Sequence, residues 1–336
     1  MKAICYTECL PASDPRALFD TELPMPPAPT GHDLLVEIRA VSVNPVDAKQ
    51  RAGIAPKSGP RVLGFDGAGV VRGAGPDTRL FSPGDEVFYA GVVNRPGTNA
   101  EYHLVDERIV GPKPQRLSFA EAAAMPLTAI TAWEALFDRL RLPRGGAGHD
   151  AAVLISGGAG GVGSIAIQLL RRLTSFMVVA TAGRPETVAW CRDMGAHAVL
   201  DHRGDLPAQA RALGVPVPYV FSVTRTSQHW NALTDLLAPQ GGICVIDDIG
   251  DADIARLRPK AGFLAFETMF TRPLNRTPDM IAQHRLLAEV SHLLDTGALR
   301  TTMTRNLGRI GAATLREAHA LVESGTTIGK IVLEGF

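Results

Sequence analysis

The chain has 336 residues, 46% of them hydrophobic, and its 34 basic and 34 acidic side chains cancel to a formal net charge of zero. That length holds two ordinary cores, while the lack of any run of like charge leaves no electrostatic footprint for nucleic acid or an anionic membrane. No apolar stretch reaches the roughly 20 residues of a membrane-spanning helix, and MKAICYTECL at the N-terminus has no signal-peptide core. The four cysteines, Cys5, Cys9, Cys191 and Cys244, form no CxxC pair. They read as reduced structural thiols of a cytoplasmic protein rather than a disulfide framework or a thiolate metal cage.

Up to residue 126 the pattern is β-rich. KAICY, LLVEIRAVSV, GAGVV, DEVFYAG and AEYHLV are short β-branched and aromatic runs separated by Pro, Gly, Asn and Asp, the signature of an all-β or barrel-like unit. Pro24 to Pro29 reads as a crossing loop, because a strand pattern resumes directly after it. Asn44 and Asp47 stand at a strand end and a Pro45-containing turn. The Asn44 amide can donate to a substrate oxygen or stabilise the turn as an Asx residue. Ser118 opens a helix toward Met125, with Glu121 as its capping-box partner.

From about Ala151 strand and helix patterns alternate, which predicts a doubly wound parallel sheet. Within it, Val153 to Gly163 reads VLISGGAGGVG, a β-branched run entering GxGxxG at Gly158, Gly160 and Gly163, and SIAIQLLRRL follows with helical spacing. Such glycines permit a tight turn and close backbone approach, and Gly161 and Val162 open the helix whose free amides receive a dinucleotide pyrophosphate. A purely structural strand-to-helix turn is the alternative. The next strand, FMVVA, is followed by Thr181, Ala182, Gly183 and Arg184, with no acid to hold the ribose hydroxyls of NAD. A hydroxyl and a guanidinium there favour the 2′-phosphate of NADPH, unless Arg184 is simply a solvated first-turn residue. Val223, Thr224 and Asp247 follow later parallel strands, at the carboxyl edge where ligands bind. Gly195 and Gly241 suit left-handed helix caps, GFLAF at 262–266 reads as an apolar strand, and two helices after Pro278 precede a final strand, GKIVLEGF, expected to return to the first domain.

SVNPVDAKQR (42–51), VLGFDGAGVV (62–71), SPGDEVFYAG (82–91), NAEYHLVDE (99–107), AAAMPLTAITAWEAL (122–136), GGAGGVG (157–163), LDH (200–202) and IGKIVLEGF (328–336) come in the order found in the medium-chain dehydrogenase/reductase superfamily. The whole chain resembles that superfamily, in its quinone oxidoreductase branch and zinc-type alcohol dehydrogenase-like members. The resemblance implies an α/β fold: a Rossmann NADPH-binding domain over 127–274, and a GroES-like catalytic domain over 1–126 completed by 275–336, with the active site in a cleft. It also implies a homodimer joined edge to edge, here through GFLAF, unless that segment is simply a buried last strand.

Against the zinc enzymes of the family, the three catalytic ligand positions hold Asn44, Phe65 and Leu127, and Asn94 to Gly97 replace the four-cysteine structural lobe. No metal is therefore expected. Without a Lewis acid, reduction of an electrophilic acceptor, a quinone or an α,β-unsaturated carbonyl, is easier than oxidation of an alcohol. An NADPH-binding sensor or crystallin-like protein is the alternative, and a zinc alcohol dehydrogenase a more distant one. The resemblance places Asn44, Asp47, Lys49, Thr128 and Thr131 beside the nicotinamide and substrate, His202 near the adenosine phosphate, and Lys330 near the cofactor. Lys49 and Lys330 as solvated lysines, Thr128 and Thr131 as helix-packing residues, and His202 as an exposed loop histidine remain the plainer alternatives. Asp66 is expected to pair with a nearby cation.

Overall fold

Alternating burial along the first third of the chain folds it into antiparallel sheets. The computed structural model describes every residue except Ala147. In it the chain divides into two compact units, Met1–Ile130 with Phe270–Phe336, and Thr131–Met269. The divisions fall a few residues from the expected 126/127 and 274/275.

In the first unit, β1 (Lys2–Tyr6), β2 (Phe19–Glu22), β3 (Asp33–Val43), α1 (Pro45–Gly53), β4 (Arg61–Val62), β5 (Asp66–Ala74), β6 (Glu86–Ala90), β7 (Tyr102–Asp106) and β8 (Val110–Pro112) lead to α2 (Phe119–Ala123) and α3 (Pro126–Trp133). α2 starts as expected, with Ser118 and Glu121 in a reciprocal capping box. α3 carries the chain across the division between Ile130 and Thr131. Where NP suggests a turn, the chain instead starts α1 with Pro45 at its first position, a site at which proline's missing N–H costs nothing.

The second unit contains β9 (Ala152–Ser156), α4 (Gly161–Leu173), β10 (Met177–Thr181), α5 (Pro185–Asp193), β11 (Ala198–Leu200), α6 (Leu206–Arg211), β12 (Val217–Ser222), α7 (Thr226–Leu236), β13 (Leu237–Val245) and β14 (Phe263–Phe266). Among the described residues these strands form a six-stranded sheet, order β11-β10-β9-β12-β13-β14, parallel throughout. All five residues of β9 are buried, as in a strand covered on both faces. Its edge strand β14 leaves Phe263 and Phe266 exposed, at 40% and 60%. Gly195 has the left-handed φ of +111° expected of a cap, but Gly241 lies inside β13 and Gln240 takes the positive φ. The reason is steric: a Cβ on Gly241 would sit 2.5 Å from the Pro218 carbonyl oxygen.

The chain then returns to the first unit with α8 (Thr271–Asn275), α9 (Ala282–Asp295), β15 (Met303–Asn306), α10 (Ala312–Glu323) and β16 (Lys330–Glu334). As expected, β16 adds to the first sheet, Ile331 opposite Val43 and Leu333 opposite Val41, giving the order β15-β16-β3-β5-β6-β8 with β7 also on β3. Leu34, Val36, Val71, Val87, Leu315 and Leu333 are among the buried residues of its core. Among the described residues no helix is long and apolar enough to cross a membrane.

Candidate active site

The glycine turn between β9 and α4 is shaped by close approach. A Cβ on Gly163 would meet the Gly157 carbonyl oxygen at 2.3 Å, and one on Gly158 would meet the Ala180 Cβ at 2.6 Å and the Cys191 Sγ at 2.9 Å. On Gly160, the N-cap of α4, the nearest atom is 3.8 Å away. Gly158 and Gly163 therefore let the turn pack on β10 and on itself, while Gly160 keeps clear the space in front of the first amides of α4, Gly161 and Val162 among them. Those amides lack intrahelical partners and face positive along the helix dipole. A cradle with backbone donors and no side chain fits a pyrophosphate.

Around it the expected contacts sort differently. Thr181 is buried and its Oγ accepts the Gly157 N–H at 3.0 Å, so it fixes the turn rather than reaching outward. Thr224 is exposed beside Gly157, and Val223 is half-buried. Asp247 accepts the Thr226 N–H at 3.1 Å and also the Thr226 hydroxyl. Its carboxylate thus caps α7 instead of standing free at the sheet edge. Arg184 is part-exposed at the N-cap of α5, its Nε 3.2 Å from Glu186. No acid stands among Ala182, Gly183 and Arg184, the residues directly after β10. His202 lies against Gly183 and packs edge-on to His229, ring centroids 5.8 Å apart.

The first unit holds a buried polar cluster that local sequence reading misses in part. The Asp66 carboxylate accepts from Ser42 Oγ (2.6 Å), Asn44 Nδ2 (2.8 Å), the Leu127 backbone N–H (2.7 Å) and Lys330 Nζ (3.2 Å). Lys330 Nζ also donates to Asn44 Oδ1 and to the Val43 carbonyl. Asp66 pairs with a cation, as expected, but that cation is Lys330, which is 3% exposed and belongs to the cluster rather than to the surface. One amide hydrogen of Asn44 is already committed to Asp66 and its oxygen to Lys330, so the side chain is a hub of this network and not a free donor. Asp47, buried at N3 of α1, accepts the Asn44 N–H at 2.7 Å through one oxygen, while Oδ1 has no hydrogen-bond partner among the described residues.

Burial pushes the Asp47 carboxyl up to about 7, with Asp66 adding to the rise and the Asn44 N–H and Lys330 opposing it. A carboxyl that holds its proton more tightly when folded loses stability as pH rises from the unfolded value near 4 to the folded one, and the loss is complete above it. Asp47→Asn keeps an acceptor for the Asn44 N–H and removes that titration. Relative to the native chain, the variant is expected to gain on the order of 2 kcal/mol between pH 5 and pH 8 in urea denaturation. Parallel stability profiles for the two proteins would refute this.

The remaining expected residues divide between the units. Lys49 is exposed on α1. Thr128 is buried and its hydroxyl bonds back to the Met125 carbonyl at 3.1 Å, the helix-packing alternative. Thr131 is buried in the second unit. Of the positions matched to zinc ligands, Phe65 is buried against Phe270, ring centroids 4.9 Å apart, Leu127 contributes only its backbone N–H, and Asn44 is held by Lys330 and Asp66. A catalytic zinc needs three lone-pair donors, and this set does not fit one. Ser42 and His229 were not singled out from sequence. The alternation of β3 marks Ser42 as inward-facing, and His229 falls in the first turn of the helix after β12.

Comparison with known proteins agrees with this architecture. The alcohol dehydrogenase GroES-like domain family matches residues 30–115, and the zinc-binding dehydrogenase family matches 194–333. A zinc-type alcohol dehydrogenase-like protein of Staphylococcus aureus strain MSSA476 is 43% identical over 310 residues, covering 91% of this chain and 92% of its own. A crystal structure from Rhizobium etli CFN 42, described as that of a zinc-dependent alcohol dehydrogenase protein, is 55% identical, covers 100% of this chain and 98% of its own, and superposes with a TM-score of 0.96. The quinone oxidoreductase of Coxiella burnetii is 26% identical with a TM-score of 0.80, covering 99% of each chain.

Proposed function

The chain belongs to the medium-chain dehydrogenase/reductase superfamily of oxidoreductases, among its zinc-type alcohol dehydrogenase-like members, and from that premise we propose that it is an NADPH-dependent, zinc-independent reductase of quinones or α,β-unsaturated carbonyls. The observation that carries this reading is the donor set at the zinc positions: Phe65 and Leu127 offer no lone pair, and Asn44 is spent on Lys330 and Asp66. The residues present in the glycine turn fit the dinucleotide, because Gly160 leaves the helix start open. The missing acid directly after β10 and the presence of Arg184 support the phosphorylated coenzyme over NAD.

Bound NADPH supplies a hydride, and the acceptor takes that hydride with one proton from solvent or protein. A conjugated acceptor spreads the resulting negative charge without a Lewis acid. On this reading the chain's task at the acceptor is to orient it and to support a developing negative oxygen. In the cluster, Asp66 and Lys330 hold the Asn44 amide from both sides, and its second N–H is the donor left for that purpose. Asp47 holds the Asn44 backbone. Lys49, exposed on α1, is the side chain proposed to deliver the proton. In the second unit, Gly158 to Gly163 receive the pyrophosphate, and Arg184 with His202 the adenosine phosphate.

The test is NADPH oxidation against a panel of naphthoquinones and enones, before and after dialysis with a strong chelator. Turnover that is unchanged by chelation is expected, with NADH a poorer donor. Stoichiometric zinc in the purified protein together with loss of activity on its removal would overturn the metal-free reading, and tight NADPH binding without turnover across the panel would point to a sensor. We also propose a homodimer through the exposed edge of β14, on the evidence of Phe263 and Phe266; a light-scattering mass of one chain counts against it.

A further inference from the structure

The turn that follows α3 is wider than an α-helix. Residues Glu134–Arg139 form a π-helix, with the Leu140 N–H reaching back to the Ala135 carbonyl at 2.9 Å. Such a turn sets residues five apart on one face, whereas an α-helix pairs residues three or four apart. Glu134 and Arg139 therefore point the same way, the Arg139 Nη2 3.7 Å from Glu134 Oε2. Arg139 also reaches Glu267, the first residue after β14, its Nε 2.8 Å from Glu267 Oε2. The backbone fixes Glu267 there, because its N–H donates to the Val245 carbonyl at 2.9 Å and extends the pairing of β14 with β13. All these residues belong to the second unit.

Both glutamate side chains are fully buried, and they are in hydrogen-bond contact with each other. One guanidinium balances one carboxylate and leaves the second without a counter-charge. Two ionised carboxylates in contact can only accept, and Glu267 Oε1 meets no donor among the described residues. A single proton between them supplies the donor and removes the surplus charge at once.

We propose that Glu134 and Glu267 hold one proton in common against Arg139, and that this proton latches the turn after α3 to the end of β14 until alkali removes it. With the proton in place the three groups sum to zero charge. Its loss to solvent hydroxide leaves one net negative charge in the interior and two carboxylates that repel. Burial, and then Glu134, pushes the Glu267 carboxyl up to about 9, with Arg139 opposing. The strand that the latch ends on is the exposed edge of the parallel sheet, carrying Phe263 and Phe266, so the shared proton governs how firmly that edge is held.

The charged groups around the pair do not take over its role. β14 and α3 carry no titratable side chain, and Asp138 on the π-helix is half-buried beside Arg139 in sequence. β13 contributes Cys244, whose thiol burial pushes up to about 12, with Glu267 raising it further and Arg139 opposing. Its ionisation lies well above that of the pair. Arg144 turns its guanidinium over the rings of Trp133 and Phe137, 5.0 Å and 5.8 Å from their centroids.

The test uses the intact protein. Infrared spectra are expected to show the carbonyl stretch of a protonated carboxyl at pH 8, where Asp47 has largely ionised, and its loss by pH 10.5. In Glu134→Gln and Glu267→Gln an amide takes the donor's place, and the band is expected to be absent. Urea unfolding followed by the three tryptophans, all in the second unit, reads the latch itself. A carboxyl that holds its proton more tightly when folded loses stability from its unfolded value near 4 up to its folded one. Between pH 7.5 and 9 the native unfolding constant is therefore expected to rise by up to about tenfold per pH unit, and then to level off. Each variant is expected to be flat relative to it over that range, one standing in if the other fails to fold, and the native infrared band needs no variant. No protonated carboxyl at pH 8, or a native slope that the variants share, overturns the inference.

Discussion

Replacing Lys330 with methionine is expected to cost about 3–5 kcal/mol of stability in the first unit, the magnitude found when one partner of a buried ion pair is removed. Asp66 is fully buried, and after the change its carboxylate keeps Ser42, Asn44 and the Leu127 N–H but no cation. Three neutral donors do not replace an ammonium in a low-dielectric interior. Combining Lys330→Met with Asp66→Asn removes both charges together and is expected to recover at least half of the loss, since the penalty belongs to the unpaired charge more than to the missing contact. All three tryptophans, Trp133, Trp190 and Trp230, lie in the second unit. Urea unfolding followed by tryptophan fluorescence should therefore change less than the same transition followed by far-UV circular dichroism. A single variant that loses under about 1 kcal/mol would show that the pair contributes little.

Gly163→Ala is expected to weaken NADPH binding by at least about 100-fold, roughly 2.7 kcal/mol. The added methyl would stand 2.3 Å from the Gly157 oxygen and 2.7 Å from the Gly158 Cα, both backbone atoms of the turn itself. Neither can swing away as a side chain would, so the turn must open and the amides at the start of α4 lose their common aim. Gly160→Ala separates packing from binding. Its methyl finds nothing nearer than 3.8 Å in the free protein, so the melting temperature should hold while coenzyme affinity falls. If Gly163→Ala binds NADPH as the native chain does, the turn is not the pyrophosphate site. Coenzyme titration by fluorescence and thermal melts on the three proteins decide the matter.

The glycine turn of the second unit and the polar cluster of the first differ in how much of them the sequence discloses. The glycine turn is legible because its pattern is local: strand, turn and helix are adjacent, even though the steric demand on Gly158 comes from Ala180 and Cys191. The polar cluster is not, because Lys330 and Asp66 are 264 positions apart and only the pairing of β16 with β3 brings the ammonium beneath Asn44. Thr181 and Asp247 mislead for a related reason. A hydroxyl or carboxylate at a strand end has a structural use close at hand, the Gly157 N–H in one case and the start of α7 in the other, and that use is satisfied before any ligand arrives. Among the elements, β15 (MTRN) is missed because it is mostly exposed and has no alternation to read. α1 is missed because proline after asparagine signals a turn as readily as a helix start.

The pairing of β16 with β3 also orders events during synthesis. As the chain leaves the ribosome, β3 emerges early, yet the strand beside it is made only after the whole of the second unit. The nascent protein must carry an unfilled place in its first sheet while the parallel sheet forms behind it, and a bare strand edge of that kind invites pairing with neighbouring chains. Translation stopped just short of Lys330 would leave a polypeptide with its nucleotide turn intact and its Asp66 carboxylate without an ammonium, prone to stick to its own kind.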